Sequence, residues 1–331
     1  MSANTFRIER PTSVAQPHGD HSTEPLCIVV PRFPASFTTT VPKEFVHRAS
    51  VAEVMLTDWE RVDDTHFTLS AQLPRMHGFF TALDGCHDPL LLAETIRQAG
   101  ILLAHAEFGV PLDQQFVMWD LAIDLEPGHL LVQSAPASLD ITVTCTEIKR
   151  RGTNLAGMHY TTVIRRDGAV AATGGATFTC TSPAVYRRVR AARVGDDAPA
   201  PIPLTSPTAP QTVGRLSPTD VVLSPASQPD HWQLRVDTHH PVLFDHPVDH
   251  VPGMVLLEAA RQAAVAFLGR SCLPTGITSE FARYVELDAP CMIEVCRLPS
   301  EAHGEERLLV TARQDGAVVF TSAVTVASDG S

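Results

Sequence analysis

The sequence predicts an α+β protein made of two similar halves in tandem, each with one long buried helix wrapped by an antiparallel sheet. Three observations support this fold class. An apolar helix with the same three polar side chains occurs twice, 164 residues apart: Glu94, Arg97 and Gln98, then Glu258, Arg261 and Gln262. Segments that alternate apolar and polar residues follow each helix. The length of 331 residues suits about two domains.

Each predicted helix is apolar on nearly every face, which is typical of a buried helix. The first runs from about Pro89 to about Glu107, with Asp88 as its N-cap, and the second from about Gly253 to about Leu268. The acid, the arginine and the glutamine of each helix are spaced three and four residues apart, so they lie within reach of one another. Because an unpaired buried charge is costly, these side chains need partners or a chemical task.

Strand-like segments make up most of the remaining chain. In the first half they are Val51–Trp59, Thr65–Leu73, Gln115–Leu125, Leu139–Lys149, Met158–Arg166 and Ala169–Cys180. In the second half they are Trp232–Val236, Glu280–Leu287, Cys291–Leu298, Arg307–Arg313 and Val318–Val326. The pairs Asp167-Gly168 and Asp315-Gly316 predict hairpin turns between the last two strands of each half.

The composition divides the chain into four parts. Residues 1–24 are predicted to be disordered or loosely attached, and residues 25–186 to form the first half, with an edge strand or an extended arm at Cys27–Phe37. Residues 187–215 are rich in Pro, Ala and Thr and predict an extended linker, and residues 216–328 form the second half. Four arginines beside the linker are interpreted as a solvated segment: Arg187, Arg188, Arg190 and Arg193.

Charge and cysteine usage argue against several classes of protein. The net charge is −12 and no long Lys/Arg run occurs, which disfavours nucleic acid or an anionic membrane surface as a partner. The seven cysteines are scattered and contain no C-x-x-C, as in a reduced cytoplasmic chain. No signal peptide and no apolar run of about 18 residues is visible, so we expect a cytoplasmic protein. The sequence contains no P-loop, G-x-G-x-x-G or G-x-S-x-G motif.

Four stretches carry a resemblance to a known family. VHRASVAEVMLTDW, PRMHGFF, DPLLLAETIRQAGILLAH and FDHPVDHVPGMVLLEAARQAA, in this order, resemble the A-factor (γ-butyrolactone) biosynthesis family, AfsA-like. The resemblance implies a double hot-dog fold. It also implies an acyltransferase that moves a β-ketoacyl group from an acyl carrier protein to a hydroxyl of dihydroxyacetone phosphate, without a cofactor, on the way to a butyrolactone, butenolide or furan signal. Whether the thioester is carried by a protein or by coenzyme A stays open.

Acyl transfer needs a base, oxyanion donors and a place for the phosphate. The Gly253 amide, at the positive end of the second helix, is a candidate oxyanion donor, or it is only a helix start. Glu258 is a candidate general base whose pKa partial burial would raise, or it is the partner of Arg261 in a buried ion pair. The planar guanidinium of Arg261 suits a phosphate, and Gln262 could orient Glu258 or hold a carbonyl.

In the first half, Glu94, Arg97 and Gln98 have the same options. We favour the second half as the working one, because only that half has Pro-Gly at its helix start.

The histidines leave further alternatives open. The second helix start also resembles that of hydroxyacyl-carrier dehydratases, but their catalytic histidine aligns with Phe244, and with Phe80 in the first half. Gaps in the alignment could bring His246, His250 or His77 into the site. The spacing of His246, Asp249 and His250 could bind a metal, although a role in capping the loop or in positioning residues that contact the substrate is favoured. A dehydratase, a thioesterase and a non-catalytic acyl-binding module are the alternative functions.

Overall fold

In the computed structural model, both halves of the chain repeat one order of elements: two strands, a long helix and four further strands. The structure describes residues 39–193, 199–299 and 304–328. The first half contains β1 (Leu56–Arg61), β2 (His66–Leu73), α1 (Pro89–Ala106), β3 (Gln115–Leu125), β4 (Ala137–Arg151), β5 (Asn154–Arg166) and β6 (Ala169–Thr181). After a short helix, α2 (Pro183–Val189), the second half contains β7 (Leu223–Pro225), β8 (His231–Leu234), α3 (Gly253–Leu268), β9 (Pro274–Phe281), β10 (Cys291–Leu298), β11 (Glu305–Gln314) and β12 (Ala317–Ala327).

All twelve strands belong to one antiparallel sheet, in the order β1-β2-β4-β5-β6-β3-β9-β12-β11-β10-β8-β7. The halves meet where β3 pairs with β9, with Ala122 opposite Thr278. Read outward from this central pair, equivalent strands of the two halves occupy equivalent places, so the sheet has an approximate two-fold axis. The predicted tandem arrangement of two helix-and-sheet halves is confirmed.

The two long helices pack against the sheet of their own half and against each other. A Cβ at Gly100 in α1 would lie 2.5 Å from the ring of Tyr160, so only glycine allows this close approach. The hydroxyl of Tyr160 donates to the backbone oxygen of Ile96 at 2.8 Å. Asp88 accepts the amide of Leu90 at 2.9 Å, which confirms it as the N-cap of α1.

The hairpin turns form where they were predicted. Asp167 and Gly168 have φ angles of 52° and 82°, and Asp315 and Gly316 have 50° and 76°. Two successive positive φ angles are the requirement of the turn that joins two adjacent antiparallel strands with a two-residue loop.

Two predicted strands are placed differently. The strand expected at Glu280–Leu287 is wrong, because β9 ends at Phe281. The amides of Ala282 and Arg283 both donate to the backbone oxygen of Val319, at 2.9 and 3.2 Å, and the chain then leaves the sheet. The expected strand Val51–Trp59 begins instead as a 3-10 turn at Val51–Glu53, capped by Ser50, and becomes a strand only at Leu56.

The arginine-rich segment beside the linker, predicted to be solvated, is in part packed against the second half. Arg190 is buried, with Nε 2.9 Å from Asp249 Oδ2 and Nη1 2.5 Å from Glu286 Oε1. The interpretation of Arg190 as solvated is therefore wrong, whereas Arg187 and Arg188 are exposed.

Three of the predicted segments cannot be compared with the structure. The N-terminal segment 1–24, the strand Cys27–Phe37 and linker residues 194–198 lie outside the described residues. Across the part that is described, no helix combines the length and apolarity that a membrane crossing requires.

Candidate active site

The acid, arginine and glutamine of each long helix are joined by a second arginine from a turn that precedes the helix. The first cluster is Arg48, Glu94, Arg97 and Gln98, and the second cluster is Arg215, Glu258, Arg261 and Gln262. In the first cluster, Arg97 donates from Nε and Nη2 to the two oxygens of Glu94 at 2.8 Å each, and Arg48 Nη2 lies 2.6 Å from Glu94 Oε1. In the second cluster, Arg261 and Arg215 hold Glu258 in the same way, at 2.7 to 3.0 Å.

Both glutamates are ionised because each lies between two guanidinium groups. Burial alone would raise the pKa of Glu258, but the charges of Arg215 and Arg261 outweigh burial and lower the pKa to about 2. Burial of Glu94 is likewise outweighed by its two arginines, and its pKa is lowered to about 2. The expectation of a raised pKa for Glu258 is therefore wrong in direction. A carboxylate that binds a proton this weakly is a poor general base near neutral pH.

The glutamine of each cluster attaches its helix to the segment that precedes the first strand of its half. Gln98 donates to the backbone oxygen of Glu53 at 2.7 Å and accepts from the amide of Met55 at 3.0 Å. Gln262 makes the matching two hydrogen bonds in the second half. Each glutamine also donates to the glutamate of its own cluster. Both side chains are buried with these polar atoms engaged, so neither is placed to hold a substrate.

Each cluster faces the start of the long helix of the other half, and these two helix starts differ. At the second cluster, the side chain of Asp88 is fully buried and lies 3.8 Å from Arg215 Nη2, and burial raises the pKa of this carboxyl group. Pro252, the equivalent residue at the start of α3, is uncharged and lines a cavity together with Arg97. The side chain of Arg261 is 0% exposed and that of Arg97 is 18% exposed. The second cluster is closed, and the first opens onto the cavity.

This cavity lies between the two halves and has a volume of about 350 Å³, within the range of small-molecule sites. Its apolar lining comes from both halves and includes Ile101, Phe116, Leu121, Tyr160, Phe178, Leu256, Leu257 and Phe281. Its ionisable lining residues include His47, Arg48, Arg97, Asp245, His246, His250, Arg283 and Tyr284. An apolar interior with a limited polar set suits a ligand with a hydrocarbon chain and a polar head.

The start of α3 presents free backbone donors to the cavity. Pro252 provides no side-chain cap, and the amides of Gly253 and Met254, which both line the cavity, have no hydrogen-bond acceptor in the described part of the chain. By contrast, the start of α1 is capped by Asp88. The first amides of a helix carry partial positive charge. The start of α3 can therefore stabilise an oxyanion, as predicted for Gly253, whereas the start of α1 is occupied.

His250 is held as one member of a histidine–aspartate pair. Its Nδ1 donates to Asp249 Oδ1 at 2.8 Å, and Tyr186 and Arg190 also donate to this carboxylate, at 2.5 and 2.9 Å. The ring packs edge-on against Tyr284, with centroids 4.7 Å apart. Because Nδ1 carries the proton in this arrangement, Nε2 is the nitrogen with a free lone pair. His250 lines the cavity, two residues before the Pro-Gly helix start, so it can act as a base there.

The first cluster has one guanidinium nitrogen that a ligand can use. Nη1 of Arg97 has no hydrogen-bond partner within the described ranges, while Nε and Nη2 of the same guanidinium are engaged by Glu94. Asp245 also lines the cavity and acts electrostatically on Arg97, and its two oxygens accept the amides of Ala49 at 2.5 Å and Ser50 at 3.2 Å. A guanidinium nitrogen that faces no acceptor can bind an anionic group, and a phosphate is a suitable one.

Sequence reasoning missed the second arginine of each cluster and the histidine that precedes Arg48. The signal was present as a second repeat, VHRASVAEV at 46–54 and VGRLSPTDV at 213–221. Its copies are 167 residues apart, whereas the helices are 164 apart, so one fixed offset does not find both. Arg48 and Arg215 occupy the same place in this repeat, and His47 corresponds to Gly214.

Two other predicted histidines lie in different surroundings. His246 lines the cavity with a half-exposed ring. His77 is buried in a turn, where its Nδ1 accepts the amides of Phe79 and Phe80 at 3.1 Å each, and it does not line the cavity. His240 makes the same pair of contacts in the second half, which indicates a structural role for both. Within the described ranges, no group of three or more His, Cys, Asp or Glu side chains is arranged to hold a metal ion.

The fold and the cavity define a class: a fused pair of hot-dog halves with an apolar site between them. A crystal structure of a Lactobacillus plantarum protein, named as an oleoyl thioesterase, has the same fold, with a TM-score of 0.51 and 11% identity over 81% of this chain and 98% of that one. The family model described as the A-factor biosynthesis hotdog domain (AfsA) matches residues 29–182 and 197–328. The chain belongs to this family, as the resemblance implied.

Named relatives support the same assignment. The chain is 55% identical over 285 residues to a 2-oxo-3-(phosphooxy)propyl 3-oxoalkanoate synthase of Streptomyces virginiae, covering 86% of this chain and 96% of the relative. It is 44% identical over 284 residues to a synthase of the same name from Streptomyces coelicolor, covering 85% and 89%. The chain is an enzyme of the type that these relatives define.

Proposed function

We propose that the chain transfers a β-ketoacyl group from an acyl thioester to a hydroxyl of dihydroxyacetone phosphate, giving the phosphorylated ester for which its relatives are named. The observation that carries this proposal is one cavity that combines an apolar interior, free helix amides and an unpaired guanidinium nitrogen. These features match the acyl chain, the thioester carbonyl and the phosphate respectively. The ester is then a precursor of a butyrolactone, butenolide or furan signal in the cytoplasm.

The thioester enters with its chain in the apolar interior and its carbonyl oxygen at the amides of Gly253 and Met254. Its carrier is an acyl carrier protein or coenzyme A, whose phosphopantetheine arms are chemically alike. Arg283, which is exposed and lines the cavity, suits the phosphate of that arm. The phosphate of the acceptor lies at Arg97, with Arg48 behind it.

The reaction then proceeds by addition and elimination. The hydroxyl oxygen of dihydroxyacetone phosphate attacks the thioester carbon, and Nε2 of His250 takes the hydroxyl proton. The oxyanion of the tetrahedral intermediate is stabilised by the two α3 amides. When the intermediate collapses, the carbon–sulfur bond breaks and the imidazolium returns the proton to the leaving thiolate. Asp249 stabilises the imidazolium throughout, because its carboxylate already accepts the Nδ1 proton.

The direct test is an incubation of the purified protein with a β-ketoacyl thioester and dihydroxyacetone phosphate, analysed by mass spectrometry. We expect a phosphorylated ester, or the butenolide formed from it, that requires both substrates. Free β-keto acid formed at the same rate with and without the phosphorylated acceptor would indicate a thioesterase instead. An enoyl thioester formed from a hydroxyacyl thioester would indicate a dehydratase, and binding without turnover would indicate an acyl-binding module.

Replacing His250 tests the base. We expect His250→Gln to lower kcat by about 10²- to 10⁴-fold, the usual range for loss of a general base, with a smaller change in KM for either substrate. His239→Gln is the matched control, because the side chain of His239 is 96% exposed and belongs to the same loop. Equal activity of the His250 variant and the control would remove His250 from the mechanism.

A further inference from the structure

His47 has an unusual backbone conformation for a residue with a side chain. It follows the 3-10 turn Lys43–Val46 with φ 52° and ψ 53°, in the left-handed region. The equivalent residue of the second half is Gly214, which follows the 3-10 turn Pro210–Val213 with φ 68° and ψ 31°. Glycine adopts this conformation without strain, whereas a side chain makes it unfavourable. The first half therefore keeps a strained histidine where its own repeat uses glycine.

The side chain of His47 lies in the cavity wall beside Arg97. Its ring meets Phe116 edge-on, with centroids 5.1 Å apart. Its Nε2 is 2.8 Å from Nε2 of His105, and Nδ1 of His105 is 2.7 Å from the backbone oxygen of Val110. In the second half, Gly269 corresponds in sequence to His105, so this pair of histidines occurs only beside the open cluster.

The hydrogen bonds determine where the protons lie. A backbone oxygen only accepts, so Nδ1 of His105 carries a proton and its Nε2 has the lone pair. Nε2 of His47 must then donate to it, which leaves Nδ1 of His47 as an acceptor. Burial, with His105, Arg97 and His246 nearby, lowers the pKa of His47 to about 3, and the ring stays neutral. Nδ1 of His47 has no hydrogen-bond partner in the part of the chain that the structure describes.

We infer that His47 is a further active-site residue, which accepts the hydrogen bond of the acceptor hydroxyl at Nδ1 and orients the attacking oxygen toward the thioester. This inference rests on the proposed function. It assigns two of the cavity histidines different tasks: His250, backed by a carboxylate, takes the proton, and His47 selects and orients the hydroxyl. A substrate with a hydroxyl next to a phosphate group satisfies both Nδ1 of His47 and Nη1 of Arg97.

His47→Gly separates an orienting role from a structural one, because a purely structural role predicts a loss of stability that parallels the loss of activity. We expect the unfolding temperature of His47→Gly to change by only about a few degrees, since release of the left-handed strain offsets the lost hydrogen bond to His105. We expect the Kd for dihydroxyacetone phosphate without thioester, measured by calorimetry, to rise about 3- to 10-fold, the loss of one hydrogen bond. The share of acyl groups released as free acid rather than as phosphorylated ester should rise, because water competes better as the nucleophile when the acceptor hydroxyl is not oriented.

His47→Asn provides a second test, since asparagine tolerates the left-handed region and offers an acceptor oxygen. It should recover part of the lost affinity and ester yield. Gly214→Ala is the control in the closed copy, and it should lower stability and leave the ester-to-acid ratio unchanged.

A wild-type Kd and ester-to-acid ratio in His47→Gly would overturn the inference, as would a loss of stability in parallel with activity. If the wild-type protein itself forms no ester, the proposed function fails, and the Kd comparison still tests His47.

Discussion

Arg97→Ala should lower kcat/KM for dihydroxyacetone phosphate by about 10- to 100-fold, whereas Arg261→Ala should act on stability. Arg97 lines the cavity, and its Nη1 has no hydrogen-bond partner in the described part of the chain. A hydrogen bond to a charged group contributes about 1.5–3 kcal/mol. KM for the thioester should change little. The fold should tolerate Arg97→Ala, because Glu94 keeps Arg48 and Gln98 as partners and the vacated space is next to a cavity that water can enter.

Arg261→Ala is the matched change in the closed cluster. Removing one partner of a buried ion pair costs about 3–5 kcal/mol, so we expect the unfolding temperature to fall by about 10 °C, with near-normal activity per folded molecule. Steady-state kinetics and thermal unfolding, measured on both variants, test these two expectations. If Arg261→Ala loses affinity for the acceptor at unchanged stability, the assignment of the open and closed clusters is reversed.

Acid should destabilise the protein through the two clustered glutamates. Glu258 has its pKa lowered to about 2, against an ordinary value of 4.5, so the unfolded chain binds a proton at a higher pH than the folded chain. Its contribution is therefore complete above about pH 4.5 and is lost as the pH falls toward 2. Integrated over this window, the shift corresponds to about 3 kcal/mol.

The variant Glu258→Gln tests this window. At neutral pH it should be less stable than the wild type by about 3–5 kcal/mol, because two buried arginines lose their carboxylate. Between pH 4.5 and 2.5 its stability should fall less steeply, since the titrating group is gone. Denaturant unfolding at several pH values measures both effects. Parallel curves for the two proteins over this range would show that Glu258 does not titrate as described.

The fold could be predicted because its determinants are local. The long helices are marked by apolar residues around the whole helix and by capping residues such as Asp88, and the hairpins by Asp-Gly pairs. The strand predicted at Glu280–Leu287 failed because alternation continues past Phe281 into a segment that lines the cavity. Short-range periodicity cannot tell a strand from such an extended wall.

The site could be predicted only in part, because it is formed by contacts between the halves. The repeated acid, arginine and glutamine led to Arg97, and the Pro-Gly start led to Gly253, and both residues line the cavity. Which cluster opens depends on Asp88 facing Arg215 across 127 residues of chain, and on Pro252 at the matching place. Neither of these long-range contacts can be predicted from the spacing of nearby residues. His47 was missed for a related reason, because its unusual conformation is apparent only when it is compared with Gly214, the equivalent residue of the second half.

The pairing of β3 with β9 within one chain has an evolutionary consequence. In a two-fold dimer of identical chains, every substitution occurs in both copies of a site. A residue that closed one copy of the site would therefore close the other copy as well. Covalent fusion removes that constraint, and each half can mutate alone. An acidic side chain such as Asp88 can then close one site, while the other site retains a strained histidine and an uncapped helix. Fusion therefore allows one cluster to be structural and the other to face a ligand.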